Sequence, residues 1–282
     1  MPESVPKSAA RSPASAGDYI RSWRQRRRMS QLDLALDAEI SQRHLSFLES
    51  GRSTPSREML IRLTERLEVP LRERNAMLLA AGFAPLYAER PLEDPAMDAA
   101  RSAIDRVLKG HEPYPALVVD RHWNLIAHNH AVLPLLARIS DATLLQAPIN
   151  VLRLSLHPQG LAGRIANLVE WRAHLLDRLR RQVAITNDQV LAALLQELAG
   201  YPLPGKLVAL HAEPTSDHGG VLVPLELVTD AGLLSLISIT SMFGTPRDVT
   251  LSELALEAFF PANAETARIL RTLADGGKTA SA

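Results

Sequence analysis

Helix-start and helix-stop signals crowd the segment from Gly17 to Pro85 so densely that only a bundle of short helices accommodates them. Asp18 is placed to N-cap a helix running to about Arg28. Ser30 is placed to cap one over Gln31 to Ala38, and Ser41 one over Gln42 to Ser50. Gly51 follows as a left-handed C′ residue. Pro55-Ser56 opens a fourth helix to about Leu67, and Pro70 a fifth to about Ala81, ended by Gly82. Five helices in roughly 65 residues predict a compact all-α domain.

Beyond Pro85 the pattern changes. Residues 86–95 are proline-rich and read as a linker. Met97 to Lys109 reads as a helix. Pro115–Asp120 and Trp123–His128 flank the turn Asp120-Arg121-His122 and read as a hairpin. Helices are expected over Ala131–Ile139, Asn150–Leu156, Ala162–Val183 and Asp188–Ala199. Strands are then expected over Lys206–Glu213, Val221–Thr229 and Leu233–Phe243, with a last helix over Asn263–Ala274. Two strands, several helices, then three strands fit a five-stranded antiparallel sheet with helices inserted on one face. That is a PAS-like α+β domain. The expected division is a disordered tail over 1–16, a helix-turn-helix domain over 17–85, the linker over 86–95, the α+β domain over 96–275 and a disordered tail over 276–282.

Charge sharpens the reading of the first part. The whole chain is neutral, with 31 basic and 31 acidic residues. Residues 1–90 nevertheless hold 15 basic and 11 acidic side chains, a mildly basic balance that fits nucleic acid. Within Ser30–Gly51, the residues Leu34, Ala35, Ile40, Leu45 and Leu48 are spaced to pack two short helices together. Gln42, Arg43 and Ser46 then face outward from the second. Arg and Gln form bidentate contacts with guanine and adenine edges in the major groove. Ser41 and Gln31 sit at helix N-termini, which suit phosphate oxygens. Arg52, Ser53 and Thr54 form a polar loop for the DNA backbone. By periodicity alone, the same face also reads as an ordinary solvated surface.

In the second part, one face of the last strand carries Leu234, Leu236, Ser238 and Thr240, and the other carries Ile237 and Ile239. Leu117, Val119, Trp123, Leu125, Leu133, Leu136, Trp171, Leu175, Leu236 and Ile239 are candidate walls of an apolar cavity, or simply core. Leu236 and Ile239 differ in parity, so at most one belongs. Arg153 and Arg172 are candidate partners for a ligand carboxylate. His128 and His130 have no third ligand at metal spacing, so no metal and no cofactor is expected.

Longer motifs carry a family resemblance. Gln31-x-x-Leu34-Ala35, Ile40-Ser41, Glu49-x-Gly51-Arg52 and Pro55 resemble the lambda-repressor-like (XRE) DNA-binding domain. Ser41 through Leu60 and Val69 through Pro85 resemble the MmyB-like transcriptional regulators. Asn150-Val-Leu-Arg, His157-Pro-x-Gly160, Trp171 and Phe243 through Leu254 resemble that family's ligand-binding domain. The resemblance implies double-stranded DNA as partner, a PAS-like sensor, and a fatty-acid-like ligand. It also implies an ion pair between Arg24 and Glu49. One departure is Glu39, where the turn before the second motif helix usually has Gly; positive φ there costs about 1–2 kcal/mol.

Other classes are excluded or disfavoured. With no cysteine, disulfides, thiolate nucleophiles and cysteine metal sites are out. No stretch approaches the ~18 apolar residues a membrane helix needs, and the first residues lack a signal-peptide run. A cytoplasmic homodimer is the expectation. Two alternatives stay open: a C-terminal domain that only dimerises, and an enzyme with an attached DNA-binding domain.

Overall fold

The computed structural model describes residues 15–203, 222–244 and 246–279, with side chains of the last helix to residue 274. The chain divides into two compact units. The first holds residues up to Arg90 together with Pro246–Ser252, and the second holds the rest.

The first unit contains α1 (Ala16–Arg26), α2 (Gln31–Asp37), α3 (Gln42–Glu49), α4 (Arg57–Arg66) and α5 (Leu71–Ala80). Ser15, not Asp18, caps α1. The Ser15 hydroxyl accepts from the Asp18 amide, and the Asp18 carboxylate accepts from the Ser15 amide at 3.0 Å. This capping box satisfies two orphan donors where a lone cap satisfies one. A Cβ on Gly17 would lie 2.3 Å from the Leu48 carbonyl oxygen, so this glycine lets α1 press against the end of α3. Ile20, Trp23, Leu34, Leu45, Leu48, Leu60, Leu63 and Leu67 form the buried centre, joined by Met77 and Leu78 of α5. Each such side chain contributes about 1.5–3 kcal/mol through burial.

Two arginines have structural roles in this unit. Arg27 donates to the carbonyls of Leu67 and Glu68, both at 2.9 Å, and so closes the C-terminus of α4. Arg74 donates to Val69 O at 2.7 Å and to the Tyr87 hydroxyl. The short helix α11 (Val249–Ser252) also belongs to this unit. Here the Val249 amide donates to Ala88 O at 2.8 Å, and Arg90 pairs with Asp248 at 3.2 Å.

The second unit is built on one antiparallel sheet of β1 (Ala116–Val119), β2 (Leu125–His128), β3 (Leu225–Thr229), β4 (Gly232–Met242) and β5 (Ala255–Pro261). Their order is β2-β1-β5-β4-β3. The first hairpin forms as expected, with Leu117 opposite His128. The membership of the sheet differs from the sequence reading. The expected strand Lys206–Glu213 lies outside the described residues, and the described fifth strand is Ala255–Pro261. Its Ala-Leu-Glu-Ala start favours helix locally. Pairing on both sides overrides that preference, and Glu257 is tolerated in mid-strand because Arg178 meets its carboxylate at 2.6 Å.

Around the sheet lie α6 (Asp98–His111), α7 (Leu133–Leu136), α8 (Val151–Leu156), α9 (Leu168–Thr186), α10 (Gln189–Gly200) and α12 (Ala264–Thr279). The helix expected over Ala131–Ile139 shrinks to a 3-10 turn and α7. The one expected over Ala162–Val183 breaks at Ile165, which bridges to Leu227 of β3. The last helix continues past Ala274 to Thr279. Leu152, Leu156, Trp171, Leu175, Leu179, Leu191 and Leu194 pack over Leu227, Leu234 and Leu236 of the sheet. A Cβ on Gly160 would meet Leu154 O at 2.3 Å, so the turn after α8 closes only around glycine.

Candidate functional site

The first site is the pair α2–α3. Ser30 and Ser41 cap these helices, accepting from the amides of Asp33 and His44 at 3.1 Å each. Between them Glu39 takes φ +56, so the turn keeps its left-handed residue although a side chain stands there. Its geometry is sealed by hydrogen bonds from the Glu39 amide to Leu36 O and from the Ile40 amide to Ala35 O. Leu45 and Leu48 point inward, fully buried. Ser41, Gln42, Arg43 and Arg52 are exposed, while Ser46 and Ser53 are half-buried.

Phe47, which sequence reasoning passed over, organises this surface. The guanidinium groups of Arg43 and Arg52 lie 5.4 and 5.7 Å from its ring centre. The amides of Arg52 and Ser53 both donate to Phe47 O, folding the loop after Gly51 back onto α3. The i, i+4 spacing of Arg43 and Phe47 was the available signal.

Beneath the surface, Glu49 is 2% exposed and ties the motif to α1. Arg24 donates to both of its carboxylate oxygens, at 2.6 and 3.0 Å, and Gln31 donates to one at 2.9 Å. Arg24 also donates to Met29 O, and Arg21 to Glu49 O at 2.7 Å. Burial pushes the Glu49 carboxyl up, but hydrogen bonds from Arg24 and Gln31, and the charges of Arg24 and Arg21, hold it below the usual range. Gln31, expected at a phosphate, thus uses its amide nitrogen inside the protein.

The second site is a cavity of about 110 Å³ in the second unit. Leu117, Trp123, Leu125, Leu136, Trp171, Leu175 and Leu236 line it, all of them candidate wall residues from the sequence. Val119, Leu133, Arg153, Arg172 and Ile239 do not. Val119 is buried elsewhere in the core, and Leu133 and Ile239 are each 49% exposed. Ile239 fails because β4 presents its even-numbered side chains to the cavity, Leu236 and Ser238 among them. Arg153 is committed to Glu197 through two hydrogen bonds of 2.8 and 2.7 Å. Arg172 donates to the carbonyls of Leu198 and Ala199, at the end of α10.

The cavity's polar groups are Ser155, Ser238, Arg178 and Glu257. The Ser155 hydroxyl accepts from the Trp171 indole at 3.0 Å. Arg178 was missed by sequence reasoning, although it follows Trp171 and Leu175 on one face of α9. It donates to Glu257 at 2.6 Å and to the Thr240 hydroxyl at 2.7 Å, with its guanidinium 4.5 Å from the Trp123 ring centre. Trp123 itself takes φ +68. Asp120 holds that turn, accepting from the amides of His122 and Asn124 and from the Asn124 side chain, each at 2.8 Å. Such strain persists only where neighbours over-determine it. The described residues contain no group of three or more metal-ligating side chains, and none of their helices is long and apolar enough to cross a membrane.

Comparison with known proteins agrees with this geometry. Residues 20–74 match the helix-turn-helix family, and residues 100–273 match the MmyB-like transcription regulator ligand binding domain. No curated protein matches. Among solved structures, the clp gene regulator ClgR from Corynebacterium glutamicum is 26% identical over 35% of this chain and 90% of its own, with a TM-score of 0.21. A helix-turn-helix joined to a family-matched ligand-binding domain makes this chain a DNA-binding transcription regulator, and it belongs to the MmyB-like transcription regulators.

Proposed function

We propose that the second unit binds a small apolar molecule, that its occupancy sets the affinity of the helix-turn-helix for an operator, and that the regulator works as a homodimer. The observation that carries this reading is the cavity. One water needs about 10–15 Å³ of such space, so 110 Å³ is far more than a packing defect, and its walls are mainly apolar, with Ser155, Ser238, Arg178 and Glu257 as the polar groups among the described residues. An apolar chain entering it gains about 0.8 kcal/mol per buried methylene. The sheet order β2-β1-β5-β4-β3, with helices inserted between β2 and β3, supports a PAS-like sensor. A dimerisation-only domain has no use for this space. An enzymatic role finds no support, because the cavity's carboxylate is already engaged by Arg178.

On DNA, Gln42 and Arg43 read base edges, while Ser41, Ser46, Arg52 and Ser53 hold the phosphate backbone. Stacking on Phe47 restricts Arg43 before DNA arrives, which lowers the ordering cost of the contact. Arg43→Ala is expected to cost about 1–3 kcal/mol at the specific site and to relax selectivity there. Anisotropy titrations on operator and random duplex check this; unchanged affinities on both overturn the base-reading role. For the cavity, protein denatured in organic solvent is expected to release an apolar small molecule visible by mass spectrometry. Protein that folds, binds DNA and neither carries nor takes up any such molecule favours dimerisation alone.

A further inference from the structure

The polar corner of the cavity indicates what kind of head group its occupant carries. Among the described residues lining the cavity, Arg178 is the one cation and is 25% exposed, and Glu257 is the one carboxylate and is 5% exposed. The two form a two-point ion pair at 2.6 and 3.3 Å. Thr240 completes the corner, accepting from Arg178 and donating to Glu257 at 3.0 Å. One face of the guanidinium is covered by Trp123, whose ring nitrogen is itself fixed by Gln182 at 2.9 Å. The sheet register builds this corner: Thr240 stands opposite Glu257, and Ser238 opposite Phe259. Among the described residues, the Ser238 hydroxyl makes no hydrogen bond, although it lines the cavity beside the pair.

We infer that the occupant is a medium-length apolar molecule with a neutral head that both donates and accepts hydrogen bonds, such as a primary amide or a hydroxyl, and that Glu257 excludes a free carboxylate. This inference rests on the ligand-site reading above and deepens it. An entering carboxylate loses its water and finds Arg178 already neutralised. It also comes to rest beside the Glu257 carboxylate, where like charges in a poorly solvated site repel. A neutral head meets no such penalty. It donates to a Glu257 oxygen or accepts from Ser238 and leaves the ion pair whole. Excluding a competitor by an unfavourable charge is an established route to selectivity. The free space, roughly eight times what one water needs, suits a chain of about that many heavy atoms.

The test uses full-length protein freed of bound molecules, titrated calorimetrically at pH 7.5 with octanamide, 1-octanol and octanoate. Octanamide and 1-octanol are expected to bind at least tenfold more tightly than octanoate. In Glu257→Gln the freed Arg178 becomes a carboxylate partner, so octanoate is expected to gain at least tenfold and the wild-type preference for octanamide over octanoate to be lost; a variant that keeps that preference overturns the exclusion by Glu257. Octanoate binding wild type as tightly as octanamide overturns the head-group inference and leaves the ligand site standing. Absence of binding by all three overturns the ligand site and this inference together. If Glu257→Gln does not fold, the wild-type ratio alone decides.

Discussion

At the scale of single residues, the N-terminal domain accepts strain in one place and secures it in another. Glu39 sits at φ +56 in the turn between α2 and α3, a conformation that costs a side chain about 1–2 kcal/mol. Glu39 is exposed. Glu39→Gly is therefore expected to raise stability by about 1 kcal/mol in denaturant titrations without altering DNA affinity; a loss of stability contradicts the assignment. Glu49 has the opposite character. Its folded-state pKa lies below that of a free glutamate, near 4.3. The stability it contributes is therefore present above that value and is lost as pH falls through the folded-state value. Glu49→Gln leaves Arg24, 12% exposed, facing a neutral amide. Breaking such a pair costs about 3–5 kcal/mol. The variant is expected to unfold more easily at pH 7 and to lose the acid-side slope of the stability curve. A variant that keeps that slope shows that another carboxylate causes it.

At the scale of elements, α9 forms one wall of the cavity, placing Trp171, Leu175 and Arg178 along one face. Trp171→Ala is expected to lower the stability of the second unit by about 3–5 kcal/mol. It should also reduce retention of the apolar molecule while DNA binding by the ligand-free protein stays near wild type. Calorimetry on the full chain reads the first effect, and a loss under 0.5 kcal/mol contradicts the packing described. Elements with strong local signals were legible in the sequence: the five N-terminal helices, the Leu117–His128 hairpin and the long β4. Cap residues and strict periodicity determine these within a few residues. β5 was not legible, because its identity depends on partners far along the chain, β1 and β4 on its two sides and Arg178 over its central glutamate. The same holds for the cavity. Alternation assigned Leu236 to its wall, but only the folded register shows that Arg153 is taken by Glu197 while Arg178 faces inward.

At the scale of the molecule, one helix-turn-helix reads only a few base pairs, and two placed about 34–36 Å apart reach successive major grooves. A homodimer on a pseudo-palindromic operator is the expected assembly, checked by light scattering with and without DNA; a monomer in both conditions contradicts it. The chain itself links the two units. The segment Pro246–Ser252, which belongs to the DNA-binding unit, is continuous with β4 and β5, and both strands contribute to the cavity wall. In the proposed reading, occupancy of the cavity shifts DNA affinity only by as much as the ligand prefers one arrangement of the protein over the other. The most direct test is the dissociation constant for a selected operator, measured on the same preparation before and after the apolar molecule is stripped on hydrophobic resin, and again after it is restored. The account predicts a reversible change of at least fivefold, the lower end of typical allosteric coupling. Equal affinities in all three states, with the molecule verified present and absent, would contradict it.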